Sequence, residues 1–431
     1  MRESRVADDA DQGHLALRNR AGGGPSLADD ARQARGGEWD ANFSCHSCDS
    51  HGLSIFYEVE SVPVHSCLLL PSREDAMQYP KGKLRLGFCR SCGFISNVLF
   101  DPSMLNYSSS YEETQGFSPR FQAFTRDLAG RLIDRYDLRG KEILEIGCGK
   151  GEFLVLLCEL GHNRGIGIDP AYVEGRLPRE ATSQITFIKD FYSEKYAHLS
   201  GDFVCCRHTL EHIQPTRQFL QMARRSIGDR LDTIVFFEVP DVSRVLRELA
   251  FWDIYYEHCS YFSLGSLARL FRSSGFEVLD LARGFDDQYL LIEARPGDGS
   301  AGPFFPQEDD VEQLTQEVDH FRTDQQAKLE GWRSDLHGIR ERGERAVIWG
   351  SGSKGVSYLT TLGIRDEIEF VVDINPFKHG MYLAGTGHKI VAPQFLKEYR
   401  PDIVIVMNPI YCEEIRSRLE AMGLFPELVA V

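Results

Sequence analysis

Two pairs of cysteines are set apart by their spacing. Cys45-His-Ser-Cys48 and Cys89-Arg-Ser-Cys92 each place two thiols across two residues, and 40 residues separate the pairs. Two such knuckles supply four thiolates, the donor set of a closed tetrahedral Zn²⁺ centre with no position left for catalysis. Gly93 follows the second knuckle, and His65 and Cys67 lie between the two as spare ligands. A second pattern is Ile143-Leu-Glu145-Ile-Gly147-Cys-Gly149-Lys-Gly151-Glu. It reads as a strand feeding a glycine loop that opens a helix. Glycines let the backbone come close to a ligand and aim helix N-terminal amides at it. The spacing G-x-G-x-G differs from the dinucleotide spacing G-x-G-x-x-G. Eighteen residues after Gly151 a second strand ends in Asp169, where a carboxylate accepts hydrogen bonds from ribose hydroxyls. A third strand ends in Asp190-Phe191, an acceptor and an aromatic ring placed for an adenine.

Further along, His208-Thr-Leu-Glu211-His212 has the His-x-x-Glu-His form of a class of zinc proteases. That chemistry needs both histidines on one helical turn, with the glutamate acting on a metal-bound water. Here the first histidine abuts the strand Phe203–Cys206, so the pattern falls at a strand-to-helix turn and reads better as a packing histidine than as a protease site. The stretch Phe251-Trp-Asp-Ile-Tyr255-Tyr-Glu257-His258-Cys-Ser-Tyr261-Phe-Ser263 gathers phenols, a carboxylate and an imidazole. A histidine among such groups is suited to general-base work near neutral pH. Gly350-Ser-Gly352-Ser-Lys354-Gly355 follows a strand, and Asp373 ends the next one, which is the dinucleotide fingerprint by pattern. A second, NAD-type site is one reading of it. A degenerate unit that helps hold substrate, with Lys354 or Lys378 near phosphate, is the other.

Taken in order, the loop Gly147–Gly151, Asp169 and Asp190-Phe191 resemble the first motifs of class I S-adenosylmethionine-dependent methyltransferases. The resemblance implies that Glu145 opens the loop, that Gly147, Gly149 and Gly151 line the cofactor, and that Asp169 takes its ribose. Over residues 43–431 the chain resembles sugar C-methyltransferases of deoxysugar biosynthesis. The four cysteines, the glycine loop, the Tyr255-to-Ser263 stretch and the segment Val372-Asp373-Ile-Asn-Pro376-Phe-Lys378-His-Gly380 recur there in this order. That family implies one structural zinc and methylation of a carbon beside the ketone of a nucleotide-linked 4-keto-deoxysugar. It implies His258 as base, Glu257 and Tyr255 in support, His212 nearby, and Tyr107 or Tyr111 facing the pocket. The alternatives carried with it are an O- or N-methyltransferase of a small molecule, and a module that binds S-adenosylmethionine or NAD without methyl transfer.

These residues need a scaffold. Strand-like runs at Glu142–Ile146, Gly165–Ile168, Thr186–Ile188, Phe203–Cys206, Thr233–Val239, Glu277–Leu281 and Tyr289–Ala294 alternate with helix-like ones, which predicts a mostly parallel layered sheet. Phe121, Phe124, Leu128 and Leu132 mark an amphipathic helix over 118–138. Apolar residues from Val311 to Ile339 mark a long linking helix, with a break expected at Gly331. Ala346–Trp349, Glu369–Val372 and Ile403–Met407 begin a second α/β unit. The fold class expected is therefore α/β: a Rossmann-like core, a small N-terminal zinc-binding lobe and a C-terminal Rossmann-like domain. The divisions expected are a disordered tail over 1–40, the lobe over 41–105, the core over 106–300, the linking helix over 301–343 and the last domain over 344–431.

The 431 residues are long enough for several cores. With 42% apolar and 26% charged residues the composition is that of a folded protein. Sixty-four acidic against 48 basic residues give a net charge of −16, which argues against a nucleic-acid or anionic-membrane partner. A small-molecule substrate fits the composition better. Oligomeric state is not legible. Eleven cysteines without an apolar leader predict a reducing, cytoplasmic setting.

Overall fold

A computed structural model describes residues 38–297 and 302–431. The tail expected over 1–40 lies outside the described residues up to position 37, whereas Glu38–Asp40 already belong to a strand. The first sheet contains β1 (Glu38–Ser44), β2 (His51–Pro63), β3 (Lys81–Phe88) and β4 (Ile95–Asn97). The second is built from β5 (Glu142–Ile146), β6 (Arg164–Ile168), β7 (Ile185–Ile188), β8 (Phe203–Arg207) and β9 (Ile234–Pro240). Next in the chain, β10 (Ser260–Tyr261) returns to the first sheet and pairs with β4, giving the order β1-β2-β3-β4-β10. The hairpin β11 (Phe276–Gly284) and β12 (Tyr289–Pro296) completes the second sheet, in the order β11-β12-β9-β8-β5-β6-β7. Pairing from β9 to β7 is parallel throughout, while β12 runs antiparallel to both its neighbours.

The third sheet has β13 (Ala346–Trp349), β14 (Phe370–Val372), β15 (Lys389–Val391), β16 (Ile403–Val406) and β17 (Glu427–Ala430), all parallel, in the order β15-β14-β13-β16-β17. β15 and β17 are additions to the sequence-based expectation. Each offers only three or four residues, too few for alternation to show.

Sheet order dictates where ligands go. From β5 the chain moves to β6 on one side and returns to β8 on the other, so a crevice opens at the carboxyl ends of β5 and β8. β13 stands in the same relation to β14 and β16. Each α/β unit therefore has one crevice, and each glycine loop lies at its edge.

The helix Pro119–Tyr136 begins where Ser118 accepts from the amide of Phe121, with Pro119 at its first position, and ends at the left-handed Asp137. The long helix runs unbroken from Val311 to Glu341, so the break expected at Gly331 does not occur. Gly331 faces open space. Its intrinsic cost of about 1 kcal/mol is outweighed by the burial of Leu329, Leu336 and Ile339 on the other face. This helix also does more than link. Phe321 is fully buried and meets the edges of Phe56 and Tyr57 on β2, at ring-centroid separations of 6.1 and 5.3 Å. One apolar cluster runs from β2 and β3 through Phe251–Tyr261 and the long helix to β13 and β16.

Phe321 is the hinge of that cluster. Phe321→Ala is expected to lower the free energy of unfolding by about 3–5 kcal/mol, read from urea denaturation. A loss below about 1 kcal/mol would show that its surroundings do not rely on the ring.

Candidate functional site

The loop after β5 is held by backbone geometry. Gly147, Gly149 and Gly151 have φ of 70°, 54° and 87°, a region in which side chains are strained. A Cβ on Gly147 would lie 2.0 Å from Thr209 Oγ1, and one on Gly149 would lie 2.7 Å from Glu113 Oε1. Asp169, at the end of β6, closes the loop by accepting from the amides of Gly149 (2.9 Å) and Ala171 (2.6 Å). Burial raises its pKa, with the two amides and Lys150 pulling the other way. Lys150 is buried, and its ammonium donates to the carbonyls of Tyr111 (2.6 Å) and Ala171 (2.9 Å).

Two carboxylates flank this loop with oxygens left over. Glu145 Oε2 and Glu113 Oε2 are buried and have no hydrogen-bond partner among the described residues. Burial pushes Glu145 up to about 8 against the pull of Arg207. It pushes Glu113 up to about 7 against Lys150, which lies 3.4 Å away. Orphaned buried acids beside a glycine loop suit a ligand that brings positive charge, as the ammonium and sulfonium of S-adenosylmethionine do. Beneath them, Arg207 pairs with Glu238 through two hydrogen bonds of 3.1 and 3.0 Å.

The loop after β8 carries His208, Glu211 and His212. His208 has a left-handed φ of 49°, and Leu210–His212 form a single 3₁₀ turn. The two histidines therefore do not share a helical turn, and the protease geometry is absent. His208 Nε2 sits 2.7 Å from Glu238 Oε1. Burial disfavours its charge, but Glu238 and Glu211 prevail and raise it to about 9.

His258 completes the wall. Its Nε2 lies 2.9 Å from the Tyr255 hydroxyl and 3.9 Å from Glu211 Oε1, and its ring stands perpendicular to that of His212 with centroids 4.8 Å apart. Burial first, then His212 and His208, holds His258 well below the usual imidazole range. The Tyr107 hydroxyl meets His212 Nδ1 at 2.8 Å. Burial holds Tyr107 and Tyr255 well above the ordinary phenol value, so both remain hydrogen-bond donors. Of the two tyrosines open from the sequence, Tyr107 bonds to His212, while Tyr111 packs edge-on against it.

Other expected residues are placed differently. Glu257 does not support His258: its carboxylate binds His65 Nδ1 (2.9 Å), the Ser66 amide (2.8 Å) and the Ser66 hydroxyl. The side chains of residues 257 and 258 point apart, which adjacency in sequence cannot show. Asp190 gives its carboxylate to Lys195 (2.8 Å) and Tyr196 (2.6 Å), while Phe191 lies on the cavity wall, 58% exposed. Cys45 and Cys92 approach to 3.6 Å between sulfurs, as do Cys48 and Cys89, and all four sulfurs lie within 4.8 Å of one another. His65 and Cys67 are not part of this group. Glu113 joins the site without a sequence pattern that marks it, and Glu211 joins it from the His208–His212 motif.

Both glycine loops open into one cavity of about 1520 Å³. That exceeds the roughly 300–1,000 Å³ usual for one small ligand. The cavity is lined as well by Gly350, Gly352, Lys354, Lys378 and Asn408 of the second α/β unit. Asp373, the acid of the second fingerprint, is consumed by its own loop: it accepts from the Ser351 amide (3.1 Å), the Ser351 hydroxyl (2.5 Å) and the Asn375 amide (2.8 Å), with Lys378 at 3.6 Å. A ribose would find that carboxylate occupied.

Glu145 dictates a pH dependence. Its folded value of about 8 exceeds its unfolded value, so between pH 4.5 and 8 the folded chain holds a proton that the unfolded chain releases. Stability from this group is full below pH 4.5 and is lost as pH rises through 8, a swing on the order of 4 kcal/mol. Ligand-free Glu145→Gln is expected to melt above the wild type at pH 8 and level with it near pH 5. Parallel melting curves across that window would refute the assignment.

Comparison with known proteins agrees with this geometry. The family profile described as "Methyltransferase domain" matches residues 120–281, and that described as "C-methyltransferase C-terminal domain" matches residues 306–424. The chain is 26% identical over 373 residues to the C-methyltransferase NovU of Streptomyces niveus, covering 80% of this chain and 85% of the relative. Among solved structures, it is similar to the 1,6-didemethyltoxoflavin-N1-methyltransferase of Burkholderia thailandensis (18% identity, 40% of this chain and 79% of that one, TM-score 0.32). It is also similar to the magnesium protoporphyrin IX methyltransferase of Synechocystis PCC 6803 (17%, 41% and 84%, TM-score 0.31). No helix among the described residues is long and apolar enough to cross a membrane. A methyltransferase profile over residues 120–281, a C-methyltransferase profile over residues 306–424 and the likeness to NovU support a family of S-adenosylmethionine-dependent C-methyltransferases for this chain.

Proposed function

We propose that the enzyme methylates a carbon beside the ketone of a nucleotide-linked 4-keto-deoxysugar, with His258 as the general base. The observation that carries this reading is the convergence of His258, Tyr255, His212 and Tyr107 on a wall of the cavity that also receives the glycine loop after β5. S-adenosylmethionine supplies an electrophilic methyl group when bound. Gly147, Gly149, Gly151 and Asp169 would hold it, with Glu145 and Glu113 facing its positive charges.

Carbon is a poor nucleophile until a proton leaves it. A neutral, buried imidazole accepts that proton, and His258 Nε2 is the nitrogen turned toward Tyr255 and Glu211. The phenol hydroxyls of Tyr255 and Tyr107, each shared with an imidazole nitrogen in the ligand-free site, would turn to the ketone oxygen to donate to its developing negative charge, which frees His258 Nε2 to take the proton. Such donors act strongly because the surrounding wall is buried. An O- or N-methyltransferase would have less use for a base and two phenols in one place. The volume of the cavity supports a large second ligand. Lys354 and Lys378 on its lining suit a diphosphate, although each already has a carboxylate partner in Asp253 and Asp373.

The four cysteines are assigned one structural zinc ion, because four converging sulfurs leave no open position. A preparation is expected to carry one zinc per chain by native mass spectrometry. Cys48→Ser should lose that zinc and melt at lower temperature. Retention of zinc by this variant would exclude the assignment.

The test of the reaction is His258→Ala. Turnover on the ketosugar nucleotide is expected to fall at least about 100-fold, along with loss of solvent deuterium exchange at the carbon beside the ketone. Affinity for S-adenosylhomocysteine should be unchanged by calorimetry. Near-wild-type exchange in the variant would remove His258 from the role of base.

A further inference from the structure

The pattern His208-Thr-Leu-Glu211-His212 is only partly used by the reaction. His212 bonds to Tyr107 and His208 pairs with Glu238, while Glu211 faces His208 Nδ1 through one oxygen only. This carboxylate is 2% exposed, and its Oε2 has no hydrogen-bond partner among the described residues. Its Oε1 stands 3.7 Å from His208 Nδ1 and 3.9 Å from His258 Nε2, beyond hydrogen-bonding reach of both. A buried carboxylate oxygen without a hydrogen-bond partner is costly. One ligand atom each from Glu211, His212 and His258 falls within 4.8 Å of the others.

We propose that Glu211, His212 and His258 form an open site for one divalent transition-metal ion of the zinc class, and that filling it blocks proton abstraction. Two imidazoles and one carboxylate, with the remaining positions facing a cavity, are a donor set that binds such ions. Metal–ligand bonds of about 2.0–2.2 Å bring the ligand atoms to roughly 3.3 Å apart. The ligand atoms, all within 4.8 Å of one another, would have to draw together to that spacing on binding. The ion would neutralise the orphaned Glu211 oxygen. It would also take the lone pair of His258 and displace its hydrogen bond with the Tyr255 hydroxyl. The site differs in kind from the four-cysteine cluster, because hard and borderline donors replace thiolates and coordination is incomplete. Metal binding does not depend on the reaction assigned above. The inhibition does, since it rests on His258 as base.

Cobalt(II) added to the zinc-loaded full-length protein tests both halves. One further equivalent is expected to bind, with visible d–d bands and no near-ultraviolet thiolate charge-transfer band. Glu211→Gln and His212→Gln should each weaken that binding at least about tenfold, while retaining the first zinc and the affinity for S-adenosylhomocysteine. Turnover should fall along the same cobalt titration curve and return on adding a weak chelator that leaves the thiolate-bound zinc in place. Absence of a second equivalent, or a second equivalent insensitive to both substitutions, overturns the site. Cobalt bound with undiminished turnover overturns the inhibition. An enzyme inactive on every ketosugar with no added metal refutes the reaction assignment instead, and the cobalt spectrum still decides the site.

Discussion

The carboxylate of Glu257 is buried where three donors converge: His65 Nδ1, the Ser66 amide and the Ser66 hydroxyl. An anion at 1% exposure persists only when its lone pairs are met, and removing one partner of such a pair costs on the order of 3–5 kcal/mol. The clasp joins a residue of the core to the segment that follows β2, 191 positions away in sequence. With residue 257 fixed on one side, residue 258 is turned to the other, toward Glu211 and His212. Two residues later β10 adds to the edge of β4 and fixes the direction of the chain. His65 continues the connection, since its Nε2 accepts from the amide of Asn106 at 2.8 Å, next to Tyr107. The wall that carries the chemistry is thus held by the first sheet as much as by the second.

The same economy appears where the two α/β units meet. Gln288 and Asn408 exchange hydrogen bonds of 3.1 and 2.8 Å. Asn375 donates to Glu112, and Glu112 also receives two hydrogen bonds from Arg176. These polar ties surround one cavity, and the apolar cluster through Phe321 lies behind them. A pocket shared by two crevices can hold two ligands side by side, which is what group transfer requires of positioning. Asp169 and Asp373 each accept two backbone amides of their own loops, and Asp373 alone also takes the Ser351 hydroxyl and faces Lys378.

Much of this was legible from the chain alone. Strands β5, β8 and β9 announced themselves by mostly apolar runs separated by helix-like segments, because central strands of a parallel sheet bury most of their side chains. The glycine loop was legible because left-handed backbone leaves few alternatives to glycine. The convergence of the four cysteines was legible because two thiols across two residues, repeated once, is a spacing that chance seldom supplies. The expected break at Gly331 failed for a related reason: propensity is weak, and burial of Leu329 and Leu336 on the far face overrides it.

By itself the sequence determined local conformations and residue types: where glycine is needed, which runs are buried, which side chains can bind metal or move protons. These are properties of neighbouring residues and survive without the fold. The tertiary structure alone decided which of those side chains meet. It sent Glu257 to His65 and away from His258, drew Asp190 to Lys195 and Tyr196, and brought Glu113 over Gly149 and Glu211 beside His258. Those pairings join residues brought close by chain turns and crossover connections, and their energies depend on burial and distances of a few ångströms. Neither quantity is encoded in spacing along the chain.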